Sequence, residues 1–375
     1  ETREVVLQAA REIGYVPSGS ARNLARGRTG VLGLHLFDLL LDVAPGTPAA
    51  DEGLVDLSTL DGSNGFRIIG RTTDGDMGRS VSSAGDINGD GVDDILIGAF
   101  RARTNTGDSY VVFGRATDDF SATINLNGLD GSDGFRLRGT NSNDFSGFSV
   151  NHVGDINNDG FDDLAVGAFL ADPHSGQSGS TYVVFGGTSG FPSDLSLSSL
   201  DGTNGFRMLG ETTADNFGET ITHAGDLNGD GFADVVVGAF GRELGATVNV
   251  GAAYVIYGTD AGFPTNLDIT TLNGTNGFRI DGAAAYDIAG RGLSHAGDVN
   301  GDGLDDLIVG APGADGRNGA AYVIFGDTGG FSATFSLSAL DGTNGFKLGG
   351  AATDETAGRA VSSAGDVNGD GIDDL

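Results

Sequence analysis

The sequence predicts an all-β fold built from repeated four-stranded units. Three observations predict it. A nine-residue stretch, Asp86-Ile87-Asn88-Gly89-Asp90-Gly91-Val92-Asp93-Asp94, returns as Asp155–Asp163, Asp226–Asp234, Asp298–Asp306 and Asp366–Asp374. Each of the first four copies leads into a short apolar run of strand length, the first being Ile95-Leu96-Ile97-Gly98. Glycine is abundant, at 67 of 375 residues, without a collagen period, as suits a chain of many tight turns. The first Asp of the stretch falls at 86, 155, 226, 298 and 366, a period of 68–72 residues. A unit of that length holds roughly four strands with their turns. Each unit leaves two apolar faces to be covered by neighbours, so a ring of blades, a β-propeller, is the natural solution.

Residues 1–40 stand outside the repeat. Val5, Leu7, Ala9, Ala10 and Ile13 have roughly helical spacing, ending at Gly14-Tyr15 before Pro17. A short basic helix is expected over Ser20–Gly30, then a strand at Val31–Leu36. Residues 41–56, rich in Pro, Gly, Ala and acid, read as a linker. The repeat occupies 57–375. Its first full unit shows strands at Gly78–Ala84, Asp94–Phe100, Ser109–Gly114 and Gly134–Gly139, the last alternating apolar and polar like a half-exposed outer strand. Four full blades are expected, with a fifth interrupted at Leu375, and the strand Gly65–Gly70 is expected to have no preceding blade to pair with.

In each nine-residue loop, oxygen-bearing side chains occupy positions 1, 3, 5 and 9, with Gly at 6 and a main-chain carbonyl available at 7. Hard Ca²⁺ takes about 6–8 oxygens in flexible geometry, so this pattern predicts a calcium loop. The expected ligands are Asp86, Asn88, Asp90, Val92 and Asp94; Asp155, Asn157, Asp159, Phe161 and Asp163; Asp226, Asn228, Asp230, Phe232 and Asp234; Asp298, Asn300, Asp302, Leu304 and Asp306; and Asp366, Asn368, Asp370, Ile372 and Asp374. Position 8 is Asp93, Asp162, Asp305 and Asp373 but Ala233 in the third copy, and is placed outside the ligand set. The EF-hand is excluded, because its twelfth position requires Glu and here is Ile97, inside a strand. A calcium-binding β-helix requires a far shorter period.

Net charge is −32, far from the balance of a nucleic-acid binder. The five loops carry 19 acidic residues, and five Ca²⁺ would bring the charge to −22, leaving a solvated acidic surface. There is no cysteine, hence no disulfide or thiolate metal site. No apolar run reaches membrane-spanning length. No signal peptide is visible, and the first residue is Glu1, not Met.

Two resemblances add to this reading. Glu1-Thr2-Arg3-Glu4, Gly14-Tyr15 and the run Ala21-Arg22-Asn23-Leu24-Ala25-Arg26-Gly27-Arg28-Thr29-Gly30 resemble the hinge region of the lactose-repressor family. That resemblance implies minor-groove contacts by Ala21 and Leu24, with Leu24 as a wedge. The two helices of the helix-turn-helix are not in the sequence, so the segment is expected to be a junction without DNA-binding function. Over 57–375 the units resemble FG-GAP repeats of the integrin α-subunit propeller. The Phe-Gly pairs are Phe113-Gly114, Phe185-Gly186 and Phe325-Gly326, with Tyr257-Gly258 in the remaining unit. The Gly-Ala-Pro element is literal at Gly310-Ala311-Pro312 and becomes Gly98-Ala99-Phe100, Gly167-Ala168-Phe169 and Gly238-Ala239-Phe240 elsewhere. The resemblance implies a seven-bladed propeller, calcium between the first two strands of a blade, and adhesion or recognition outside the cell.

Two recurring positions invite other chemistry. His152, His223 and His295 each precede a loop by three residues, with Ser83 and Ser363 in the other copies; lying in different blades, they are expected to be dispersed about the ring and structural. Arg67, Arg136, Arg207, Arg279 and Lys347 recur on the outer strand and are expected to pair with surface carboxylates. No nucleophile elbow, phosphate loop or Ser/His/Asp set is present. The sequence therefore predicts a non-enzymatic, Ca²⁺-stabilised propeller for extracellular or cell-surface recognition of a protein or glycan ligand. The alternatives are an accessory propeller of a secreted hydrolase and a DNA-binding regulator acting through residues 1–40.

Overall fold

The computed structural model describes residues 57–71, 75–116, 120–174 and 176–375. The repressor-like segment and linker, with Ala21 and Leu24, lie outside the described residues. The described chain opens with a 3-10 turn at Leu57–Thr59, and its first strand is β1 (Arg67–Ile69). The first blade follows as β2 (Met77–Gly85), β3 (Asp94–Ala99), β4 (Asp108–Val112), a three-residue β5 (Thr123–Asn125) and β6 (Gly134–Arg138). The second unit is β7 (Val150–Gly154), β8 (Asp163–Ala168), β9 (Ser180–Val184), β10 (Asp194–Ser196) and β11 (Gly205–Leu209). The third is β12 (Ile221–Gly225), β13 (Asp234–Ala239), β14 (Ala252–Ile256), β15 (Asn266–Asp268) and β16 (Gly277–Asp281). The fourth is β17 (Gly292–Gly297), β18 (Asp306–Ala311), β19 (Ala320–Ile324), β20 (Thr334–Ser336) and β21 (Gly345–Gly349).

Within a unit the four longer strands form an antiparallel meander, β2-β3-β4-β6 in the first. The second strand of each blade is an apolar run buried on both faces, as Asp-Leu-Ala-Val-Gly-Ala of β8 shows. The outer strand alternates: Gly134, Phe135 and Leu137 of β6 are buried while Arg136 and Arg138 are half-buried.

The short strand corrects the expected count of four per blade. β10, from the second unit, pairs in parallel with β6 of the first, Asp194 opposite Arg136. β15 joins β11 and β20 joins β16 in the same way. Each unit thus lends the connection between its third and fourth long strands to the blade before it. The same device corrects the expectation for the first outer strand: β1 is paired, in parallel, with β5. An aromatic stack seals each junction. Phe135 lies on Phe191 with ring centres 4.3 Å apart, and Phe206–Phe263 and Phe278–Phe331 repeat it at 4.3 and 4.2 Å.

The blades pack face to face, and the cores lie between them. Leu96, Val111 and Phe135 of the first blade share one core with Leu164, Val166 and Tyr182 of the second. Two further cores join the second blade to the third and the third to the fourth. The first strands β2, β7, β12 and β17 lie side by side, tied by hydrogen bonds from Asn151 Nδ2 to the Ile221 carbonyl and from Thr220 Oγ1 to the Arg291 carbonyl. This is the arrangement of propeller blades around an axis.

The Gly of the Gly-Ala-Pro element allows the close approach. A Cβ at Gly167 would lie 2.0 Å from the carbonyl oxygen of Gly218 in the next unit, and at Gly98 it would lie 2.1 Å from that of Gly147. Because the obstacle is backbone, no side chain can rotate away. Gly167→Val should therefore destabilise the protein by about 1–3 kcal/mol or more, as overpacking does. Gly176→Ala, in open space, should change stability by less than about 0.5 kcal/mol. Urea unfolding of the two variants checks this.

Candidate metal centre

The loops join the first and second strands of each unit at one end of the blade. Position 2 anchors them: Ile87, Ile156 and Leu227 are fully buried between blades. With that apolar residue turned inward, the odd-numbered oxygens gather over the loop's own backbone. In the first copy Asp86 Oδ1 accepts from the Asp90 N–H at 2.9 Å and Asp86 Oδ2 from the Gly91 N–H at 2.8 Å. Asn88 Oδ1 also accepts from the Asp90 N–H, and Asp90 Oδ1 accepts from the Val92 N–H. The same bonds recur around Asp155, Asp226, Asp298 and Asp366. The ligand positions predicted from the sequence therefore share one fold in all five loops. Positions 1 and 3 are mostly half-buried, and the position-5 carboxylates are exposed.

Position 9 is different in kind. Asp163 and Asp234 are fully buried, and Asp94 is only 2% exposed. Asp163 Oδ1 accepts from the Gly186 N–H at 2.9 Å and Oδ2 from the Ile156 N–H at 3.0 Å. Gly186 is the Gly of the Phe-Gly pair, and Gly114, Gly258 and Gly326 make the same bond to Asp94, Asp234 and Asp306. Loop and Phe-Gly pair are thus two halves of one hydrogen-bonded unit. Burial, opposed by these N–H donors and reinforced by the position-1 and position-5 carboxylates, pushes Asp94 up to about 7, Asp163 and Asp234 to about 8, and Asp306 to about 6. Asp94 Oδ2 is buried with no hydrogen-bond partner. A buried carboxylate so placed favours a nearby cation.

The donor set, hard oxygens only, fits Ca²⁺ in chemistry. Among the described residues no group of three or more His, Cys, Asp or Glu side chains is arranged to hold a metal ion. The loop carboxylates are turned instead onto backbone N–H groups.

Position 8 has a role that the sequence reading missed. Asp162 Oδ2 accepts from the N–H of Asp86, the first residue of the preceding unit's loop, at 2.8 Å. Its Oδ1 lies 2.9 Å from His152 Nε2. Asp305 repeats both contacts, with Asp226 N–H at 2.8 Å and His295 Nε2 at 2.8 Å, and Asp373 takes the N–H of Asp298 at 3.1 Å. The histidine hydrogen bond is the main cause that holds Asp162 and Asp305 below the usual carboxylate range. Position 8 is an inter-blade clasp. The Gly before each loop makes room for it, since a Cβ on Gly85 (φ +61°) would lie 2.3 Å from Asp162 Oδ2. The recurrence of Asp at position 8 after an invariably glycine-led loop was the available signal.

The histidines are gathered, not dispersed. β7, β12 and β17 bring His152 within 6.2 Å of His223, and His223 within 4.7 Å of His295, between ring centres. Equivalent positions of adjacent inner strands are neighbours near the axis even when their blades differ. The outer-strand cations follow the expectation in part. Arg136 pairs with Asp194, Arg279 with Asp281 and Lys347 with Asp315. Arg207 instead donates to Ser180 Oγ and lies over the Tyr182 ring, and Arg67 donates to Thr123 Oγ1.

Repeated antiparallel blades, each with an Asp/Asn loop tied to a Phe-Gly pair, define a propeller of the loop-bearing kind. The family model that matches is the FG-GAP repeat, over residues 77–112, 149–184, 217–256 and 289–324, one match per blade. The chain thus carries four FG-GAP repeats and is similar to integrin α subunits. It is 36% identical over 166 residues to integrin alpha-PS5 of Drosophila melanogaster, covering 44% of this chain and 15% of that protein. Against integrin alpha-5 of Xenopus laevis the identity is 29% over 246 residues, 64% of this chain and 20% of the relative. Phosphatidylinositol-glycan-specific phospholipase D of Mus musculus is 37% identical over 111 residues, 28% of this chain and 12% of the relative. The chain therefore spans a fifth or less of each of these relatives.

The third copy supplies an internal experiment on the clasp, because Ala233 leaves the N–H of Asp155 and His223 without the carboxylate. Asp162→Ala should cost about 1–3 kcal/mol through the unsatisfied N–H and unpaired His152. Ala233→Asp should raise stability, since Gly154 already leaves space for it. Opposite shifts in the urea midpoint are the expected result.

Proposed function

We propose that this chain is a calcium-stabilised, integrin-α-like propeller that serves recognition outside the cell or at its surface, without catalysis of its own. The observation that carries the reading is the buried position-9 carboxylate, repeated in successive blades and left with an unsatisfied oxygen at Asp94. The residues that would hold Ca²⁺ are those at positions 1, 3, 5 and 9, with the position-7 carbonyls of Val92, Phe161, Phe232, Leu304 and Ile372. Bound Ca²⁺ would supply the positive charge that lets three apposed carboxylates ionise together. The protein's own part is to hold the loop shut on the Phe-Gly turn and to clasp it to the neighbouring blade. Similarity to integrin α subunits supports a protein or glycan ligand for the assembled blades. No helix among the described residues is long and apolar enough to cross a membrane. Residues 1–40, including Ala21 and Leu24, are read as a junction that adds no DNA-binding function.

A second reading, an accessory propeller attached to a hydrolase, is favoured by one observation: the similarity to glycan-specific phospholipase D. In either case the blades bind and do not catalyse.

Calorimetric titration with Ca²⁺, with thermal unfolding followed in chelator and in excess calcium, tests the reading. Saturable binding of several ions and a rising melting temperature are expected, because a ligand at about 100 times its Kd stabilises by about 2.7 kcal/mol. Absence of both would reduce the loops to Asp-rich turns. Asp163→Asn separates the two possibilities further. In chelator it should still cost about 1–3 kcal/mol, because the amide nitrogen cannot accept from the Gly186 or Ile156 N–H that Asp163 satisfies with its two oxygens. In calcium the thermal gain should shrink.

A further inference from the structure

The histidine row on the inner strands supplies none of the proposed loop ligands and is no part of the blade cores. His152, His223 and His295 stand on three adjacent inner strands, and His152 and His295 are 28% and 25% exposed in their side chains, so solvent reaches them. Asp162 and Asp305 accept from Nε2 of His152 and His295. An ionised carboxylate only accepts, so the Nε2 of each of these rings donates to it, and Nδ1 is the nitrogen left to face a metal. A carboxylate behind an imidazole is the arrangement that orients metal-ligating histidines and raises their basicity.

His223 lacks this support because Ala233 replaces the Asp. Its side chain makes no hydrogen bond among the described residues. Burial first, then the two neighbouring imidazoles, push it down to about 4, so at neutral pH it is uncharged with a free lone pair. Three imidazoles on adjacent inner strands form a nitrogen-donor patch quite unlike the oxygen-donor loops.

We propose that His223 and His295 form a transition-metal site for Zn²⁺, Cu²⁺ or Ni²⁺ on the adjoining inner strands β12 and β17, with water completing the coordination. Imidazole nitrogen suits these ions, as carboxylate and carbonyl oxygen suit Ca²⁺. At Zn–N distances of about 2.0–2.1 Å, a metal stands roughly 3.2 Å from each ring centre. Two rings 4.7 Å apart then subtend roughly a right angle at the ion, a normal cis arrangement. His152, whose ring centre is 6.2 Å from that of His223, stands outside the ligand pair, in keeping with the absence among the described residues of any three such side chains arranged around one ion. The site rests on the ring positions and stands whether or not the loops bind calcium.

Zn²⁺ titration of the whole chain in saturating Ca²⁺ is the test. Wild type should bind one ion, and His223→Ala or His295→Ala should weaken binding at least tenfold. His152→Ala should weaken it less, and His174→Ala, whose ring bonds the Gly210 carbonyl elsewhere, should not change it. Equal Zn²⁺ affinity in wild type and His223→Ala, or no binding by wild type, overturns the proposal. Should an alanine variant fail to fold, Cu²⁺ electron paramagnetic resonance of wild type decides: nitrogen hyperfine splitting from at least two imidazoles supports the site, and an all-oxygen signal overturns it.

Discussion

One carboxylate in each blade organises the rest. The position-9 Asp, buried between sheets, accepts from the loop's second N–H with one oxygen and from the Phe-Gly turn with the other. These two bonds tie the first, second and third strands of a blade together at one end. A buried carboxylate is costly unless its hydrogen bonds are made, and its remaining charge invites a cation. Fold and candidate metal site are therefore the same piece of physics.

Contacts between blades are made by parts that look like connections. A three-residue strand lent backward, a phenylalanine pair, the clasp at position 8 and the pressed glycine of the second strand all reach across the interface. Each is small. Together they fix the spacing of the inner strands, and so the distance between residues in different blades. The histidine row is a product of that spacing.

The sequence showed the unit and its strands plainly, because apolar runs and Asp/Gly turns are local signals. β3 ends within a residue of where its run places it, and β8, β13 and β18 repeat it in the later units. The shared geometry of the loops was legible for the same reason, as positions in one short pattern. The short strands β5, β10, β15 and β20 were not, since Thr-Ile-Asn or Asp-Leu-Ser has no alternation long enough to read. Their strand character comes from a partner some 58 residues away, as Asp194 to Arg136 shows. The clasp escaped because Ala233 breaks its pattern, and an Asp beside three other acids looks like more of the same. The histidines were misplaced in space because one repeat position suggests separation, whereas blades converge on their inner strands.

The backward-lent strand puts the duplicated segment and the folded blade out of phase. A unit of sequence carries the last strand of one sheet and the first four of the next, so no cut at a repeat boundary leaves a whole blade. The same offset makes the array tolerant of growth. Removing or adding one full period within β10, β15 or β20 restores an identical junction, with the donor on one side and the acceptor on the other. Copy number can then vary by gene duplication without any new surface having to be invented.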